Sequence, residues 1–325
     1  MILTKAPLRI SFFGGGSDLA SHYSKHGGAV LSAAIDKYMY IALNTTPQEH
    51  VKLSYSVIEH VKNYKELKHD IVRNVIECYG GKHKIGLEIG SYADIPTVGT
   101  GLGSSSTFAV ALIQAFASLN GYNPSPQIVA DAACDIEINW CRSPIGKQDQ
   151  FAAAYGGMNY FMFDRDDYVR SIEVDKQYFG IKQNLLMFYT GVTRSANAIL
   201  AQQNARPDHE TLKKMADQAL LGFTLLKSER YDDFGDLLHD AWVLKSGLTP
   251  GITNESIDGH YTAAMANGAL GGKILGAGGG GYFLFYVPKD SQERVIHTLE
   301  CRGLKHIDFN FSETGVQTVY NDSSL

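Results

Sequence analysis

Cysteine is scarce in this chain: Cys78, Cys134, Cys141 and Cys301 are the four among 325 residues. No two form a C-x-x-C pair, so neither a disulfide framework nor a zinc site is expected. Proline is sparse as well, at nine residues, and no Pro/Ser-rich linker, internal repeat or low-complexity tract marks a boundary. No run reaches the ~18 apolar residues of a membrane span, and the opening MILTKAPLRISFFGGG lacks the apolar core of a secretory signal. A cytoplasmic protein with no membrane partner is therefore expected. Excess charge is also missing: 29 basic and 34 acidic residues give a net charge of −5, no footprint for nucleic acid. The eleven histidines are scattered and are read as surface or packing residues. What is present is ample apolar surface, 44% of residues, which excludes disorder as the main theme. The length suits two packed domains.

Glycine is abundant, at 33 residues, and it is clustered. Around the clusters the pattern mixes strands and helices without strict βαβ alternation, which predicts an α+β protein. Residues 28–43 and 84–90 read as strands, 59–79 as a helix, then 105–119 and 125–141 as helices. Residues 158–163 and 185–191 read as strands, followed by helices near 194–205, 208–227 and 231–246, and a strand from 282 to 287. The domain boundary is placed near residue 180, giving units 1–180 and 181–325.

The most specific cluster is PTVGTGLGSSSTFAVALIQAF, residues 96–116. A strand precedes it and a helix follows, so small residues leave successive backbone N–H groups at a helix N-terminus, a site for phosphates. Gly99, Gly101, Leu102, Gly103, Ser104, Ser105 and Ser106 are its candidate nucleotide contacts. No G-x-x-x-x-G-K-[ST] is present, so this is not a Walker A loop. The second cluster, GAGGGG at 276–281, leads into a strand, the reverse of a dinucleotide-binding order. Either a hairpin turn or close approach of backbone to ligand explains it, with Gly278 and Gly279 as the candidates. The third, FFGGGSDL at 12–19, places Gly15, Gly16, Ser17 and Asp18 in a loop suited to sugar hydroxyls or to a plain β-turn. Glu137, in AACDIEINWC, has Ala130, Ala133, Cys134 and Cys141 three, four and seven residues away. A carboxylate on such an apolar stripe calls for a cation.

These three clusters, in this order, resemble the three motifs of the GHMP small-molecule kinases over nearly the whole chain. The resemblance implies an amino-terminal α+β domain, a ferredoxin-like carboxy-terminal domain and an active site in the cleft between them, with ATP and Mg²⁺ as cofactors. It also implies that Ser105 and Glu137 are magnesium ligands. Asp149, in IGKQDQFAAAYGG, is similar to the family's catalytic aspartate and is assigned the general base or hydroxyl orienter, with Arg9 and Lys147 as its candidate cations.

Gly15 and Gly16 stand where galactokinase-like members carry a Glu-His pair, which disfavours galactose. FFGGGSDL, LSAAIDKY, GKQDQFAAAYGG and YTGVTRSANAIL look instead like the bacterial heptose 7-phosphate kinases, which phosphorylate an anomeric hydroxyl on the way to GDP-heptose for surface glycans. A sugar phosphate and ATP are then the small-molecule partners, and homo-oligomer formation is left open. A substrate already bearing a phosphate needs a second anion site. Arg194, beside Thr193 and Ser195, is the first candidate, ahead of Lys25, His22 and Lys147. The rival readings are a kinase for an unphosphorylated sugar such as fucose, a non-catalytic nucleotide and sugar sensor, and a decarboxylase of the same superfamily.

Overall fold

The computed structural model describes residues 1–96, 99–193 and 196–322, and the statements below concern those residues. The chain opens with β1 (Ile2–Phe13), α1 (Ala20–His26), β2 (Gly28–Thr45), β3 (Val51–Ser54), β4 (Ile58–Val61), α2 (Asp70–Tyr79) and β5 (Leu87–Ala93). Next come α3 (Ser104–Leu119), α4 (Pro126–Cys134), α5 (Gln148–Tyr155), β6 (Met158–Phe163) and β7 (Val169–Glu173). The stretch read as one helix over 59–79 is thus a short strand, a 3-10 turn at Tyr64–Glu66 and α2. Val61, Tyr64 and Leu67 recur at a spacing of three, which a turn satisfies as readily as a helix.

The long β2 pairs β5 through Met39–Thr45 and β6 through Gly28–Ala33, so one strand serves two branches of an eight-stranded sheet. The last eight residues of β1 are all buried. A strand covered on both faces reads as continuous rather than alternating, because no face is left for water. The apolar, almost wholly buried α3 packs on this sheet from one side, and α7 from the other.

The second half contains β8 (Leu185–Tyr189), α6 (Ala196–Ala205), α7 (His209–Lys227), α8 (Tyr231–Leu248), α9 (Glu255–Ala266), β9 (Gly271–Ile274), β10 (Tyr282–Tyr286), α10 (Gln292–Cys301), β11 (Lys305–Ile307) and β12 (Gln317–Asn321). Strands β8 to β11 form an antiparallel sheet in the order β11-β8-β10-β9. With helices after its first and third strands, this is the ferredoxin-like arrangement. The expected boundary near residue 180 falls in the 3-10 segment Lys176–Asn184, between the two sheets. The chain does not stay in its second unit, however: β12 returns to pair with β1, and Phe311 bridges Ile35.

The two units share a core. Leu8, Ile10, Phe12 and Phe13 of β1 pack in one cluster with Leu225, Leu226, Phe234, Leu275 and Tyr282. Ring contacts of 5.3 Å and 4.8 Å join Phe234 edge-on to Phe12 and Phe13. A packed aromatic seam of this kind joins the two units.

The histidines divide less evenly than a scatter suggests. His22 and His26 stand four apart on α1, and both stack near His209 at the start of α7. The Nδ1 atoms of His22 and His209 share a hydrogen bond of 3.1 Å, tying α1 to α7. Burial, with His209 and His26 alongside, pushes His22 down to about 4, which favours the neutral ring. Among the described residues no group of three or more potential ligands is arranged to hold a metal.

Candidate active site

Asp149 is the second residue of α5, and its Oδ1 accepts a hydrogen bond from Arg9 Nε at 2.8 Å and lies 2.6 Å from Arg9 Nη2 in an ion pair. Arg9 is 3% exposed and donates its remaining terminal nitrogen, Nη1, to the Gly101 carbonyl at 2.7 Å. One guanidinium therefore links β1, α5 and the glycine loop before α3. No described group donates to Asp149 Oδ2, and the carboxylate keeps 24% of its exposure at the cleft.

The loop at Gly99, Gly101 and Gly103 runs with φ of +67°, +82° and +74°. Gly103, the cap of α3, has no side chain to cover the first-turn amides, and Ser104, Ser105 and Ser106 line the cleft with Gly99, Gly101 and Gly103. Leu102 departs from the expected nucleotide contacts: it is fully buried in the shared core, and its carbonyl accepts from the Arg9 amide.

Glu137 is 1% exposed and reaches the same cleft from a wider π-helical turn, Asp135–Trp140, that follows α4. Such turns shift a side chain out of helical register and recur at functional sites. Its Oε1 accepts from Ser105 Oγ at 2.6 Å and its Oε2 from Gln150 Nε2 at 2.7 Å. No described cation pairs with it, and burial raises its pKa above the usual carboxylate range. A buried carboxylate with only neutral donors, beside a hydroxyl and an uncovered helix N-terminus, fits a small oxygen-seeking cation that brings phosphates with it.

Asp18 is buried against α5. Its Oδ1 accepts from the Gly16 amide at 2.9 Å and from Gln148 Nε2 at 3.1 Å, and its Oδ2 accepts from the Gln148 amide at 3.1 Å. It lines the cleft with Gly15 and Gly16 and sets that loop one residue from Asp149. Ser17 turns away: its hydroxyl donates to the Gly14 and Ala29 carbonyls and locks the loop from inside. Gly278 lines the cleft, whereas Gly279 is buried and its amide donates to the Ile252 carbonyl at 2.8 Å. Thr193 reaches the cleft edge; Arg194 and Ser195 lie outside the described residues. Lys25 is exposed on α1. Lys147 points away from Asp149, pairing with the Asp167 carboxylate at 2.7 Å and carbonyl at 3.0 Å. It serves that turn and leaves Arg9 as the cation at Asp149.

The glycine hairpin between β9 and β10 is explained by backbone contact. A Cβ on Gly101 would lie 2.2 Å from the Leu275 carbonyl oxygen, and one on Gly276 would lie 2.4 Å from Gly101 Cα. One on Gly281 would meet the Thr100 carbonyl oxygen at 2.1 Å. The two glycine loops touch main chain to main chain, closing one side of a cleft of about 530 Å³. That volume suits a small-molecule ligand.

Two cleft residues carried no sequence motif of their own. Lys245 of α8 and Lys273 of β9 are both buried and both line the cleft. Lys245 Nζ donates to the Ile274 carbonyl at 3.1 Å and to the Gly276 carbonyl; Lys273 Nζ donates to the Phe12 carbonyl at 2.7 Å. Burial pushes Lys245 down to about 7, with Arg9 adding repulsion, and pushes Lys273 well below the usual lysine range, with Lys245 and Arg9 adding repulsion.

Residues 64–157 match the GHMP kinases N terminal domain, and residues 223–306 match the GHMP kinases C terminal domain. The chain belongs to the GHMP kinases. It is accordingly a phosphotransferase that uses ATP, and the α+β fold with a ferredoxin-like second unit is that of the family. The D-glycero-alpha-D-manno-heptose 7-phosphate kinase of Campylobacter jejuni is 27% identical to this GHMP kinase over 339 residues, 98% of each chain. The bifunctional fucokinase/GDP-fucose pyrophosphorylase of Arabidopsis thaliana is 25% identical over 334 residues, 94% of this chain and 31% of that protein. A solved structure of a D-glycero-D-manno-heptose 1-phosphate kinase from Bacteroides thetaiotaomicron superposes with a TM-score of 0.81 at 24% identity. It covers 99% of this chain and 100% of that one, and it speaks to the fold. Among the described residues no helix is long and apolar enough to cross a membrane.

Proposed function

We propose that this GHMP kinase phosphorylates the anomeric hydroxyl of D-glycero-D-manno-heptose 7-phosphate, giving the 1,7-bisphosphate. The observation that carries the reaction is the Arg9–Asp149 pair, set between the α3 N-terminus and the Gly15–Asp18 loop. The sugar rests on the likeness to the Campylobacter jejuni kinase over 98% of both chains. In this reading Gly99, Gly101, Gly103 and the first-turn amides of α3 hold the phosphates of ATP. Asp149 Oδ2 accepts the proton of the acceptor hydroxyl, while Arg9 holds the carboxylate in place through Oδ1. Asp18, Gly15 and Gly16 shape the sugar side, where the missing side chains make room for a seven-carbon acceptor. Phosphoryl transfer asks mainly for such positioning and for counter-charge.

Ser105 and Glu137 would hold Mg²⁺ at the nucleotide. When bound, the ion supplies positive charge against the phosphate oxygens. Glu137→Gln keeps the shape and the Ser105 contact but removes the charge. We expect it to lower kcat by roughly 100-fold or more, a loss of the size seen when one transition-state electrostatic contact is removed. The Mg²⁺ concentration for half-maximal rate should rise with it; an unchanged magnesium dependence in steady-state assays would remove Glu137 from the role.

ADP release with Mg-ATP decides the acceptor, over a panel of heptose 7-phosphate, mannose 6-phosphate, fucose, galactose, mevalonate and homoserine. Turnover confined to heptose 7-phosphate supports the proposal. Turnover with fucose alone transfers it to an unphosphorylated sugar, as the Arabidopsis thaliana relative's name suggests.

A further inference from the structure

Three basic side chains, Arg9, Lys245 and Lys273, line the cleft. Arg9 is paired with Asp149. Lys245 and Lys273 have no carboxylate within ion-pair distance among the described residues, although both are more than nine-tenths buried. An ammonium carries three donors. Lys245 spends two on the Ile274 and Gly276 carbonyls, and Lys273 spends one on the Phe12 carbonyl. When both are protonated, three N–H groups thus remain without an acceptor among the described residues, on side chains whose positions are fixed by β9, the glycine hairpin and β1. Burial and mutual repulsion disfavour the charged form of both side chains, and an anion bound between them would restore it. A fold keeps such a pair where a bound anion completes it.

We infer that Lys245 and Lys273 are the protein's share of a phosphate-binding subsite in the part of the cleft that the second structural unit supplies. The inference rests on the kinase reading for its ligand class, since phosphate is the anion both substrates carry. Two sources supply it: the phosphate already on the acceptor, or the terminal phosphate of ATP as it is transferred. Both lysines come from the second structural unit, whereas the amides of α3 come from the first. The subsite therefore lets a phosphate join the two units.

The test uses inorganic phosphate and two variants. Lys273→Met deletes the charge at nearly constant volume, and Lys245→Gln deletes it while keeping N–H donors for the two carbonyls. The wild-type protein should be stabilised against thermal unfolding by phosphate. Each variant should bind it at least tenfold more weakly, with Lys273→Met melting at or above wild type when phosphate is absent. Lysines that only prop up the hairpin would behave oppositely: the variants would melt well below wild type and retain wild-type phosphate affinity. That result, or no stabilisation of wild type by up to 100 mM phosphate, overturns the inference. Steady-state kinetics then separate the sources. An acceptor KM raised tenfold or more with the ATP KM unchanged assigns the acceptor's phosphate. A fall in kcat, or a rise in the ATP KM alone, assigns the phosphate of ATP. Unchanged kinetics in both variants overturns the subsite. The phosphate measurement needs no turnover, so it stands or falls apart from the identity of the sugar.

Discussion

Asp149→Asn is expected to lower kcat by about 10²–10⁴-fold, the range for losing a positioned general base, while the affinity for ATP stays within about threefold. The reason lies in how the two oxygens divide their work. Arg9 donates through Nε to Oδ1 and pairs with it through Nη2, and an asparagine will turn its own Oδ1 toward that guanidinium because its amide nitrogen cannot accept. The amide nitrogen then occupies the place of Oδ2, presenting donors to an acceptor hydroxyl that needs somewhere to put its proton. Binding energy for ATP is drawn from the glycine loop and α3, which the substitution does not touch. Single-turnover measurement of phosphate transfer, alongside equilibrium titration of ATP, checks both halves. A kcat within tenfold of wild type would show that Asp149 orients nothing essential.

Gly101→Ala should damage the fold as much as Asp149→Asn damages the chemistry. Its φ of +82° disfavours any side chain by about 1–2 kcal/mol. Its Cβ would also lie 2.2 Å from the Leu275 carbonyl oxygen, which belongs to the backbone of the other unit and cannot rotate away. Overpacking of that kind typically costs about 1–3 kcal/mol. The melting temperature should fall by roughly 5–15 °C, given a few degrees for each kcal/mol in a chain of this size. Activity should fall with it, because Arg9 Nη1 is bonded to the Gly101 carbonyl. Gly121→Ala supplies the control: its φ is +78°, but nothing lies within 4 Å of its Cβ, so it bears the conformational cost alone. Equal melting of the two variants would show that the loop contact adds nothing.

The parts of the site that were legible in sequence were those whose chemistry is local. Gly103 followed by Ser104, Ser105 and Ser106 announces a helix start that suits phosphate whatever surrounds it. Glu137 was singled out because its helical neighbours are apolar, and it is buried. The same test applied to Lys245, with Ala241 and Trp242 before it and Leu248 after it, points inward just as firmly. Lys273 could not be found that way, since a strand residue shows its face only once the sheet is assembled. Lys147 misled for a related reason: two residues from Asp149 in sequence, it is carried by the start of α5 toward Asp167 instead. The hairpin glycines allowed either a tight turn or a ligand. Their spacing could not reveal that the crowding partner is another glycine loop, some 175 residues earlier in the chain.

The pairing of β12 with β1, in which Ile2 faces Asn321, sets an order of events during synthesis. In its sheet β1 lies between β2 and β12, so once β2 has formed its other edge still waits for a strand made some 300 residues later. Until then β1 presents a row of unsatisfied backbone donors and acceptors, the kind of edge that recruits foreign strands. The ferredoxin-like unit must emerge in the interval and fold beside an unfinished partner. β1 is thus among the last strands to be sealed, and slow elongation or loss of β12 would show itself as aggregation rather than as a weaker enzyme.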